Sequence, residues 1–107
     1  MLYLSEDTAL FLYYYKGSDN METRVAIIGI IVEDPEQAGT LNAILHEYSQ
    51  YIIGRMGIPY HERNISIISV AVDAPQTEIS ALSGKLGRLH GVSAKTAYSN
   101  VISGASE

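Results

Sequence analysis

Arg24-Val25-Ala26-Ile27-Ile28-Gly29-Ile30-Ile31-Val32, followed at once by Glu33-Asp34-Pro35-Glu36-Gln37, is the stretch that decides the fold of this chain. After Arg24 the first run is apolar at odd and even positions alike and rich in β-branched side chains, the pattern of a strand with two apolar faces. The second run starts a helix. Asp34 can accept backbone N–H bonds as an N-cap, Pro35 stands at the first helical position where no N–H is missed, and Gln37 completes a capping-box spacing.

Working outward, the helix has a buried stripe of Ala38, Leu41, Leu45, Tyr48 and Ile52, with Glu36, Asn42, His46 and Glu47 turned to solvent, and it ends near Ser49 or Gln50. Tyr51 to Ile58 is a second strand weakened by Gly54 and Gly57, which suits an edge position or a bulge. Pro59 to Asn64 is the connecting turn. Ile65 to Val72 is a third strand, again mostly apolar on both faces. Asp73-Ala74-Pro75 repeats the helix-start chemistry, and Ile79, Leu82, Leu86 and Leu89 form the second helical stripe. Gly91 stops that helix, and Val92 to Tyr98 is the last strand.

Strand, helix, strand, strand, helix, strand is the split βαβ order. It predicts an α+β, ferredoxin-like βαββαβ domain: an antiparallel sheet with both helices on one face, as in ACT-like domains, and the first and third strands at its centre. Those are the two strands that are apolar on both faces, yet the helices can cover only one face. The other face needs a covering surface, and a second subunit is the economical one, with the Tyr-rich N-terminal extension as the competitor, because large exposed apolar patches are uncommon on monomers. A homo-oligomer through the sheet is therefore expected.

The chain has 107 residues, enough for one domain and one core. Three parts are distinguishable. Residues 1–22 form an extension bounded by the turn formers Lys16-Gly17-Ser18-Asp19-Asn20; its apolar Leu10 to Tyr15 is either an added strand or a stretch preceding a natural start at Met21. Residues 23–99 are the ferredoxin-like body, and 100–107 a polar tail. The net charge of −5, without any basic run, argues against direct nucleic-acid binding by this chain. Absence of Cys fits a cytoplasmic protein, and no apolar run approaches membrane-spanning length.

Three stretches of the body carry a resemblance: Val32-Glu33-Asp34, Arg55-Met56-Gly57-Ile58-Pro59 through Asn64, and Ala81-Leu82-Ser83-Gly84-Lys85-Leu86-Gly87 through Gly91-Val92. From about Arg24 to Tyr98 the chain resembles the small regulators of iron-only hydrogenase systems, relatives of ACT domains and of the C-terminal domain of nickel-responsive repressors. The resemblance implies a ferredoxin-like fold, oligomerisation through the sheet and a regulatory role. It supplies no ligand, so the cofactor is unknown, and partners are the chain itself and a small molecule or a hydrogenase-system protein.

Candidate sites follow from residue type and position. Arg55, Tyr60, His61 and Asn64 are the densest polar and aromatic group of the body, and Arg55 could hold an anionic ligand; alternatively Asn64 fixes the turn while Arg55 pairs with Glu62 or Glu33. Gly84 and Gly87 flank Lys85 but lie inside the second helix, so close helix packing against the sheet or another subunit explains them better than a phosphate cradle. His46, His61 and His90 lack close ligand spacing, so no metal site is expected; His61, in a turn that could meet a symmetry mate, has the best access to one. No catalytic residue is expected: Ser66, Ser69 and Ser83 have no His and acid around them by sequence, and Glu33, Asp34 and Glu36 are explained by helix capping. A regulatory, non-enzymatic sensing domain is the leading expectation. A structural interaction module without ligand, or a transcriptional regulator working with a separate DNA-binding partner, are the alternatives.

Overall fold

The computed structural model describes residues 22–102. Among them run β1 (Arg24–Val32), α1 (Ala38–Glu47), β2 (Ile52–Tyr60), β3 (Ile65–Ala74), α2 (Gln76–Gly87) and β4 (Val92–Ile102). The strands make one antiparallel sheet in the order β2-β3-β1-β4, so β1 and β3 are central. This is the expected α+β, ferredoxin-like arrangement.

Alternation along β1 sorts its side chains cleanly. Ala26, Ile28, Ile30 and Val32 are buried, while the residues between them stay open. Directly opposed residues share a face, and Ile28 stands opposite Val70 and Ala26 opposite Val72. These residues join Leu41 and Leu45 of α1 and Ile79, Leu82 and Leu86 of α2 in a single core. Both helices therefore lie on the same face of the sheet. Burial of each such aliphatic side chain stabilises the fold by about 1.5–3 kcal/mol before chain entropy is counted.

The helix stripes hold with small adjustments. Leu41, Leu45 and Tyr48 are buried as expected, but Ala38 is exposed and Ile52 opens β2 rather than extending the helix. The turn at Pro35–Gln37 is 3-10, with Asp34 Oδ1 accepting from the Glu36 N–H at 3.0 Å, so the α-helix proper begins only at Ala38. Gly91 does more than stop α2. Its φ of +72° turns the chain so that its carbonyl accepts the Glu33 N–H at 2.7 Å, tying the entry to β4 against the exit from β1.

Three strand ends differ from the sequence expectation. Strand β3 runs on through Asp73 and Ala74, the residues expected to open the second helix, because both pair with β1. Strand β2 continues through Pro59 and Tyr60, beyond the expected start of the turn, because it is an edge strand, where a proline is tolerated. The turn itself is a 3-10 element at His61–Arg63 closed by Asn64 in the left-handed conformation, φ 57°. Strand β4 runs on through Asn100 to Ile102, past the point where the polar tail was placed. There Arg24 fills an irregularity between β1 and β4: it donates to Gln76 Oε1 at 2.8 Å and to the Ser99 carbonyl at 3.1 Å, and its guanidinium sits 4.6 Å from the Tyr98 ring centre. The extension at 1–22, apart from Glu22, lies outside the described residues.

The weakened second strand has both expected features. It is an edge, and the register passes from Ile52↔Val72 to Gly54↔Ala71, which leaves Ile53 as the extra residue of a bulge.

Candidate functional site

The face of the sheet away from the helices carries the largest unsatisfied feature of the described chain. Register places Ile27 and Ile31 of β1, Met56, Ile58 and Tyr60 of β2 and Ile67 of β3 on it. None is sheltered: Ile27 is 49% exposed, Ile31 42%, Met56 66% and Ile58 58%. Large aliphatic side chains left this open across three adjacent strands form a patch that costs solvation free energy in an isolated chain. Among the described strand residues that share this face, the charged ones are Asp73 on β3 and Lys95 on β4. The face is thus apolar and nearly neutral.

The expected group of Arg55, Tyr60, His61 and Asn64 is not one site. Arg55 stands opposite Val70, a core residue, and so points to the helix side of the sheet; Tyr60 stands opposite Ile65 and points to the open side. They stand five steps apart along β2, roughly 17 Å. The Nη2 of Arg55 donates to Asn42 Oδ1 of α1 at 3.0 Å, so its partner among the described residues is an amide, not Glu62 or Glu33. Tyr60 instead donates its hydroxyl proton to Glu62 Oε1 at 2.9 Å. Tyr60, His61 and Asn64 stay together with Pro35 beside a shallow hollow of about 160 Å³.

The glycines of α2 correct a second expectation. A Cβ at Gly84 would meet only the Arg88 guanidinium tip at 3.4 Å, and one at Gly87 nothing within 4 Å outside the helix's own backbone. Neither glycine is needed for α2 to approach its own sheet. Their role in packing against another subunit is left as the surviving half of that expectation.

His46 lies exposed on α1, His61 in the β2–β3 turn and His90 between α2 and β4. Among the described residues no group of three or more His, Asp or Glu side chains could hold a metal ion. Ser83 is used structurally, receiving a hydrogen bond from Thr96 Oγ1 at 3.3 Å that ties α2 to β4.

The charge–aromatic cluster at the ends of the two helices was missed by sequence. Lys85 Nζ sits 3.4 Å from Glu47 Oε1 and 5.1 Å from the ring centre of Tyr48, a residue expected only in the core stripe. The Tyr48 side chain and the Glu47 carboxylate hold the Lys85 pKa above its ordinary value, against a partial desolvation that pulls it down. The exposed ion pair contributes little to stability by itself. No local sequence signal reports it, because Glu47 and Lys85 meet only through the packing of α1 on α2.

No helix among the described residues is long and apolar enough to cross a membrane. Comparison with known proteins gives the family. No protein with a curated description matches the chain. Among solved structures, the uncharacterized protein TM1266 from Thermotoga maritima is 42% identical, with a TM-score of 0.68 over 71% of this chain and 96% of that one. Residues 24–96, from the first residue of β1 into β4, match the TM1266-like family, described as "Iron-only hydrogenase system regulator, putative". With a family match across most of its length and a solved relative 42% identical, the chain belongs to the TM1266-like family.

Proposed function

We propose that this protein is a non-catalytic, cytoplasmic regulatory domain of an iron-only hydrogenase system that works as a homo-oligomer, pairing with a second copy through the open sheet face and sensing a small molecule or a hydrogenase-system protein in that assembly. The observation that carries it is the face itself, with Ile27, Ile31, Met56, Ile58 and Ile67 exposed across three adjacent strands. A second copy is favoured over a charged partner by the charges on that face. One cation and one anion, Lys95 and Asp73, give no strong field to attract an oppositely charged protein, while a self-pairing face needs to repel nothing. The family description supplies the regulatory role. The net charge of −5 leaves transcriptional control to a separate DNA-binding partner.

The test is sedimentation velocity with native mass spectrometry on the full chain, on a form starting at Met21 and on Ile27→Asp. Oligomers are expected for the first two, and a folded monomer for Ile27→Asp, because docking a second copy would strip water from the new carboxylate at a cost the lost apolar contact cannot offset. A wild-type monomer at tens of micromolar overturns the proposal. So does a monomeric full chain beside an associating Met21 form, which would assign the face to the extension.

A further inference from the structure

We propose that the cleft between α1 and β2, on the helix side of the sheet, binds a small organic anion with a carboxylate or phosphate head and a short apolar body. The cleft has a volume of about 350 Å³ and is lined by Asn42, Leu45, His46, Ser49, Ile52 and Arg55. Asn42, His46 and Ser49 follow one another at the i, i+4, i+7 spacing of a single helical face, extended past the end of α1 by the 3-10 turn at Ser49–Tyr51, and β2 brings Arg55 opposite that face.

The polar groups of this set are mostly donors. Arg55 spends one N–H on Asn42 Oδ1 and keeps its other donors. With its oxygen so engaged, the Asn42 amide offers its nitrogen. Ser49 contributes a hydroxyl and His46 a ring N–H, present in either protonation state. Among the described residues no Asp or Glu lines the cleft, in a chain whose acids outnumber its bases 12 to 7. A guanidinium fork flanked by further N–H and O–H donors and free of carboxylates is suited to oxygen anions. Leu45, nearly fully buried, and Ile52, half-buried, give an apolar floor for the rest of the ligand.

Because Arg55 points away from the open sheet face, the cleft stays accessible when a second copy covers that face. The assignment deepens the sensing role proposed above and rests on it for its biological meaning. Binding at the cleft is nevertheless measurable apart from assembly.

The experiment is a titration of the 15N-labelled full chain with inorganic phosphate and, separately, with butyrate, followed by amide chemical shifts. Saturable shifts are expected at Asn42, His46, Ser49 and Arg55 and not at Lys95 or His61. Arg55→Gln should raise the Kd about tenfold, the loss of one charge-assisted contact. Asn42→Asp, which puts a carboxylate against the guanidinium, should weaken binding at least as much and serves if Arg55→Gln does not fold. Saturation by phosphate alone assigns a phosphate head, and by butyrate alone a carboxylate. Absence of saturation with both probes, or a Kd unchanged in both variants, overturns the proposal. Sedimentation of the same samples reports independently on the open-face interface, so failure of the anion site and failure of the oligomer are separate outcomes.

Discussion

Replacing Gly91 with alanine tests the tie between the two halves of the fold. The residue has φ +72°, where an L side chain costs roughly 1–2 kcal/mol. The new Cβ would also lie 2.7 Å from the Asp34 Cβ and 3.2 Å from the Asp34 nitrogen. Carbon atoms rest at about 3.5–4.0 Å, so Asp34 must retreat by close to an ångström. That retreat disturbs two hydrogen bonds: the 2.7 Å bond from the Glu33 N–H to the Gly91 carbonyl and the 3.0 Å cap from the Glu36 N–H to Asp34 Oδ1. Each is worth about 1 kcal/mol, so the whole loss is expected near 3 kcal/mol. In a domain of this size that lowers Tm by about 12–24 °C. Urea denaturation and thermal melts by circular dichroism, at matched protein concentration, measure it. In an Asp34→Gly background the 2.7 Å Cβ contact is gone while the 3.2 Å approach to the backbone nitrogen stays, so Gly91→Ala should then cost less than in the wild type. A loss under about 1 kcal/mol for the single variant would falsify the close approach, and equal losses in both backgrounds would place the strain in φ and the backbone contact rather than in the Asp34 side chain.

The glycines of α2 give the opposite expectation. Gly84→Ala has room, with only the mobile Arg88 tip nearby, and should stabilise the chain by about 0.5–1 kcal/mol through helix propensity. If it weakens association instead, in sedimentation, another subunit approaches α2 at that point. Lys85 supplies an alkaline prediction: since folding raises its pKa, its contribution is complete below the ordinary value of 10.5 and lost as pH rises through the raised one. The Tm difference between wild type and Lys85→Gln should accordingly narrow above pH 10.5, and parallel curves throughout that range would refute the Tyr48 and Glu47 contacts as its cause.

Much of the fold is written locally. Asp34 caps the turn that leads into α1, because capping acts over a few residues, although that turn is 3-10; Asp73 and Ala74 instead belong to β3, and α2 starts after Pro75 without a side-chain cap. The open apolar face was also legible, since β1 and β3 alternate two apolar sets and two helices cannot cover both. The candidate site was less so. With Tyr60 assigned to a turn, the parity that sets it on the opposite face from Arg55 could not be seen.

By itself, then, the sequence determined the order of elements, the central strands and the existence of an uncovered sheet face, all properties of periodicity and capping within a single segment. Only the tertiary structure decided that Arg55 meets Asn42 rather than a carboxylate, that Lys85 meets Glu47 and Tyr48, and that Gly91 backs onto Asp34. These are contacts between residues 13 to 57 positions apart. Strand register and helix docking set them, and both are determined by packing of the whole core rather than by any neighbouring residue.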